Sequence, residues 1–167
     1  EPAATPKRNI PQEKLDKLFR VFGQTLNRMG LKETKLVLTT GAKGEGIYDP
    51  VPNLIAIALD SFNGPMRALH HEAVHALREM GLISEKNWEL LTRKVNNEGW
   101  LDKPIGPFRE SIRERYAKVN LPNGEALSVE ALYEEAVADM FAAHAVGDLN
   151  VSGFFPGIYN KVRNFFE

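Results

Sequence analysis

Along residues 12–29 the apolar side chains Leu15, Leu18, Phe19, Phe22, Leu26 and Met29 return at intervals of three and four, which predicts a helix with one buried face. Gly30 is placed to end it. The pattern then shortens. KLVLTT (35–40) predicts a strand, TGAKGEG a loop, and GIYDPVP a short extended piece broken by Pro50 and Pro52. NLIAIALDS (53–61) is the strongest strand candidate, bounded by Asn53 and the SFNGP turn. Its nearly continuous apolar run suits an inner strand and an edge strand about equally.

From Pro65 onward the helical period takes over. One helix is expected over 65–80 with Gly81 as its stop, and a second after Ser84 with Trp88, Leu91 and Val95 inward. WLDKPIGP reads as a loop, and Phe108, Ile112, Tyr116 and Val119 mark a third amphipathic helix. LPNGEAL is a turn, and Ser128 caps a long helix running to about Ala145. Pro156 opens a last segment containing Tyr159, Val162, Phe165 and Phe166. With Phe154 and Phe155 these aromatics read as core, or as a stump from which a longer chain continued. The order predicts an α+β fold: a small N-terminal antiparallel or mixed sheet at about 35–60, then a mostly helical remainder, in one domain over 12–167.

The 167 residues suffice for one domain with a sizeable core. The longest apolar runs fall well short of the roughly 18 residues that span a bilayer, so no membrane partner is expected. A net charge of −1 gives no general attraction to nucleic acid, and none is expected as a partner. Arg109, Arg113 and Arg115 alternate with Glu110 and Glu114, as on a solvated helix face. Residues 1–11, EPAATPKRNIP, lack an apolar signal core and read as a flexible lead-in. The start at Glu1 instead of methionine suggests a piece of a larger polypeptide. A cytoplasmic location is the weak expectation.

The chain has no cysteine, which excludes disulfides, thiolate ligands and cysteine nucleophiles. Any metal must be held by histidine and carboxylate. The stretch ALHHEAVHALREMG (68–81) supplies both on a predicted helix. Side chains four apart share a helical face, so His71 pairs with His75, whereas His70 has Val74 at that position and reads as exposed. The result is H-E-x-x-H. Two imidazoles one turn apart can reach a single tetrahedral zinc ion, and Glu72 between them can reach a water on that metal without ligating it. The longer H-E-x-x-H-x-x-G-x-x-H pattern is absent, because Arg78 stands at its glycine and Gly81 at its last histidine.

A zinc site needs a third protein ligand, and LYEEAVADMFAAH (132–144) offers carboxylates on another predicted helix. Glu135 and Asp139 lie four apart. Glu135 can ligate while Asp139 accepts the other N–H of a ligating histidine and fixes its tautomer. Glu134 remains a rival ligand, or lines the site. Ala136, Ala138, Ala142 and Ala143 would let this helix approach another closely.

H-E-x-x-H on one helix with E-x-x-x-D on a later one resembles the gluzincin metallopeptidases. HHEAVHAL looks like their active-site helix and EEAVADMF like their glutamate helix. The resemblance spans about residues 50–145, and the sixty residues between His75 and Glu135, with two predicted helices, form its variable spacer. It implies a zincin-like fold, one Zn2+ per chain on His71, His75 and Glu135, Asp139 supporting a ligand histidine, and Glu72 as general base on a zinc-bound water. The implied activity is peptide-bond hydrolysis in a protein or peptide substrate. More loosely, YDPVPNLIAIALDS, EEAVADMFAA and the terminal FFPGIYNKVRNFFE resemble metallopeptidase domains of large phage and mobile-element polyvalent proteins.

Two other readings stand beside the enzyme: a catalytically silent zincin-like binding module of a larger protein, and a metal-free helical domain with a coincidental motif. Candidate substrate or oxyanion contacts are Glu134, Tyr116 and Arg78. Arg78 could bind a substrate carboxylate or form a salt bridge. Tyr133 and Arg109 read as packing or surface, and His144 lies about half a turn off the metal-facing side of its helix.

Overall fold

Helix α1 (Gln12–Arg28) is held by one stripe, in which Phe22 and Leu26 are buried and Leu18 and Met29 pack partly against the core. Phe19, expected on that stripe, is 51% exposed: it lies about 100° round from Leu18 and falls at the stripe's margin. The computed structural model describes residues 11–39, 46–50, 53–58 and 64–147. Residues 1–10 of the expected lead-in, the end of NLIAIALDS and the segment with Pro156 and its aromatics lie outside the described residues.

Three short strands follow: β1 (Lys35–Thr39), β2 (Gly46–Asp49) and β3 (Leu54–Ala58). They form a mixed sheet in the order β1-β3-β2, with β3 parallel to β1 and antiparallel to β2. The continuous apolar run of β3 is therefore that of a central strand, and Ile55 and Ile57 are fully buried. β1 and β2 are left as the sheet edges among the described residues, and β2 is the one packed on α2.

The remainder is helical: α2 (Pro65–Glu79), α3 (Glu85–Glu98), α4 (Ile112–Tyr116) and α5 (Val129–Ala145). α2 starts with Pro65 in its first turn and stops at Gly81. There a left-handed φ of 69° lets the Leu82 N–H reach the Leu77 carbonyl at 2.9 Å, a conformation glycine adopts without strain. Ser84 caps α3 and Ser128 caps α5, each side chain accepting a backbone N–H.

The expected helix through Phe108 and Val119 is only five residues long. Ser111 and Glu114 close a capping box that starts it at Ile112, so Phe108 precedes the helix and exposed Val119 follows it. The S-x-x-E signature of that cap was present in SIRE, and the apolar spacing overran it.

α2 is the pivot of the fold. It packs across β2 and β3 on one side and along α5 on another. Ala73 and Ala76 of α2 and Ala136, Ala138, Ala142 and Ala143 of α5 are all fully buried, so the helices meet with little side-chain bulk where they cross. That close approach carries the polar residues of both helices to one place. No helix among the described residues is long and apolar enough to cross a membrane.

Candidate metal centre

The two motif helices face each other so that His71, His75 and Glu135 converge. His71 Nε2 lies 3.2 Å from His75 Nε2 and 3.1 Å from Glu135 Oε2, and His75 Nε2 lies 3.4 Å from Glu135 Oε1. Zinc takes nitrogen and oxygen ligands at about 2.0–2.2 Å, which separates neighbouring corners of its tetrahedron by about 3.3 Å. The separations are of that size, with Glu135 meeting each ring through a different oxygen, and the donor set is one zinc takes. The residues present fit the ion.

Each ring is oriented from behind by a carboxylate on α5. The Nδ1 of His71 lies 2.7 Å from Asp139 Oδ1, and that of His75 lies 2.7 Å from Glu134 Oε1. With each Nδ1–H donated to a carboxylate, each Nε2 faces the centre and presents a lone pair there once it gives up its proton. Glu134 therefore sits on the far side of the His75 ring from the donor triangle. Its role as an orienting acceptor was not read from the sequence: Glu134 sits about 100° from Glu135, and no spacing rule separates an orienting carboxylate from a rival ligand there.

Asp139 is almost wholly buried, and a carboxylate there needs compensation. Besides the His71 N–H, it accepts from Arg67 at 3.2 Å and from Arg115. Neither arginine was singled out in the sequence. Arg115, which its run of alternating charge places on a solvated face, turns inward instead, with its Cζ 3.5 Å from the Phe108 ring centroid. Arg113 keeps to the surface and pairs with Asp102.

The charges are mutually adjusted. Burial works against a charged imidazole, but hydrogen bonds to Asp139 and Glu135 outweigh it at His71 and hold its pKa near 10. Burial opposed by Glu134 and Glu135 leaves His75 near 9. Burial raises Glu135, yet hydrogen bonds from the two rings pull it far below the usual carboxylate range. This is a pocket that demands positive charge, which two protons or one divalent cation can provide.

Glu72 stands beside the triangle without entering it, its Oε1 4.0 Å from His71 Nε2. Burial raises its pKa, against the lowering pull of the two histidines and of a hydrogen bond from the Tyr48 backbone. β2 passes so close that a Cβ on Gly46 would lie 3.1 Å from Glu72 Cγ and 3.0 Å from Ile57 Cδ1. Tyr116 donates to Glu135 Oε2 at 2.6 Å, and burial plus the Glu135 charge keep its hydroxyl protonated.

Other candidates fall elsewhere. Arg78 pairs with Glu85 at 2.7 Å and stacks over Trp88, on the α3 side. Tyr133 donates to Asn96 and ties α5 to α3. Arg109 is exposed, and His144 lies in the last turn of α5. His70, expected at the surface, is buried with its ring tilted against Phe141, because α5 covers that side of α2. Compared with known protein families, curated proteins and solved structures, the chain matches none.

Proposed function

We propose that this chain is a zinc metallopeptidase domain of gluzincin type, with His71, His75 and Glu135 holding one zinc ion and Glu72 acting as general base. The observation that carries this reading is the convergence of the two Nε2 atoms and the Glu135 carboxylate at 3.1–3.4 Å, with the Glu72 carboxylate standing beside them at 4.0 Å. A site that only held metal would have no use for Glu72.

Bound zinc would supply Lewis acidity, polarising a carbonyl oxygen and lowering the pKa of water towards about 7. The chain's own groups do the rest. Glu72 accepts a proton from the attacking water and delivers it to the leaving amine. Burial raises its pKa, which suits a carboxylate that must hold that proton between the two steps. Tyr116, kept protonated beside Glu135, donates to the oxyanion that develops at the attacked carbonyl by turning its one hydroxyl hydrogen away from Glu135. Asp139 and Glu134 keep both rings in the tautomer that faces the centre. β2, the sheet edge packed on α2, offers main-chain groups along which an extended peptide can lie.

The test is metal analysis of purified protein, with cleavage of an unfolded protein substrate by wild type and Glu72→Gln. One zinc per chain and cleavage lost in the variant are expected. Zinc without cleavage in the wild type would make the domain a zinc-holding binding module, and a metal-free, inactive protein would overturn the proposal.

A further inference from the structure

Beside Glu72 a cavity of about 230 Å³ runs from Gly46 and His71 to Arg115 and Phe108. Drug-sized ligands occupy about 300–1,000 Å³, so this space suits one side chain. Gly46 and Ala68 keep it open at the metal end. The other end is cationic. Arg115 gives one donor to Asp139, and its Nε is buried with no hydrogen-bond partner among the described residues. Asp139 neutralises it only in part, because the same carboxylate serves the His71 N–H and Arg67. The Phe108 ring, 3.5 Å from the guanidinium carbon, holds the group in place, an arrangement suited to a second anion.

We propose that this cavity is a specificity pocket for an acidic side chain next to the scissile bond, with Arg115 as the anion-binding group. The inference rests on the peptidase reading and names its substrate class. A glutamate or aspartate seated there brings a second carboxylate to a guanidinium whose Asp139 partner is shared with Arg67 and His71. A glutamine of the same shape brings no charge, and a leucine leaves polar groups unpaired.

The experiment uses three peptides, acetyl-Ala-Ala-Xaa-Ala-Ala-amide with Glu, Gln or Leu at Xaa, and zinc-loaded protein. kcat/KM for the Glu peptide is expected to exceed that for Gln at least about tenfold, and Arg115→Met to erase that ratio. Arg115 also holds Asp139 and through it His71, so a loss shared by all three peptides reports ring positioning, and the ratio alone reports the pocket. The ratio is read a second time without turnover, as calorimetric affinity of the Glu72→Gln protein for the same peptides. Equal affinity for Glu and Gln, or a ratio unchanged in Arg115→Met, overturns the pocket. Should the methionine variant not fold, Arg115→Lys takes its place: it keeps the charge, loses the planar fork and is expected to reduce the ratio, and an unchanged ratio is again fatal. Absence of cleavage by wild type alongside a Glu-over-Gln binding preference overturns the peptidase reading and keeps the pocket.

Discussion

Glu134 Oε1 and His75 Nδ1 meet at 2.7 Å on the edge of the ring that points away from the converging donors. With Asp139 on His71, this makes α5 the source of one inward carboxylate and two outward ones, all within six residues of helix. The first prediction concerns that pair. Glu134→Ala should leave the triangle intact but loosen the His75 ring, weakening zinc about 10–100-fold. Glu135→Ala, which removes a donor atom, should weaken it more. Competition with a zinc chelator ranks the two, and equal losses would show Glu134 to be a ligand in its own right.

Glu72→Gln keeps the shape and removes the base. Turnover should fall by at least about 100-fold with zinc content unchanged. Cleavage retained by this variant would take Glu72 out of the mechanism.

Gly46→Ala approaches the same carboxylate from the strand. Its new Cβ meets Glu72 Cγ, Ile57 Cδ1 and the Ala56 carbonyl at 3.0–3.2 Å, so the strand or the carboxylate must shift by a few tenths of an ångström. A misplaced base costs rate without costing metal, and kcat is expected to drop several-fold while zinc affinity holds. Unchanged kcat would mean that Glu72 does not need β2 where it is.

What the sequence made legible follows from periodicity. His71, Glu72 and His75 are related by helical spacing within one element, and Glu135 with Asp139 by the same spacing in another. The meeting of the two elements followed from their buried alanines. Contacts that cross between elements left no such trace. Arg67 sits in the first turn of α2, and Arg115 in a run of alternating charge that reads as solvent-facing; only the fold brings both to Asp139. β3 could be placed centrally only once its two neighbours were known, because an apolar run fits either position. His70 looked exposed because helical spacing says which residues share a face and not what covers the next one.

The metal-free centre should be proton-linked. In the folded chain His71 and His75 have pKa values near 10 and 9, above the ordinary 6.5. Between 6.5 and those values the folded state holds more protons than the unfolded one, so this contribution to stability is full below 6.5 and is lost as pH rises towards 9–10. Zinc binding at pH 7 must displace both protons. Calorimetry in buffers of different ionisation enthalpy should report about two protons released per zinc bound. Release near zero would mean that the rings are neutral before the metal arrives.

His70 gives the opposite slope, in a separate window. Its ring is buried against Phe141, its Nδ1 has no hydrogen-bond partner among the described residues, and burial depresses its pKa to about 4. The unfolded chain therefore binds a proton below 6.5 that the folded chain refuses until about 4, and stability falls with acidification across that interval. At pH 5 the loss attributable to this ring is about 2 kcal/mol at most. His70→Leu, an apolar replacement that leaves no polar atom unpaired, should flatten the decline between about pH 6 and 5 in urea unfolding of the metal-free protein. Below about pH 6 His71 and His75 are mostly protonated in both states and contribute little slope, while Glu135 and Asp139 lose their stabilising charge only at lower pH. A decline equally steep in the leucine variant would show that this ring accepts its proton without leaving the core.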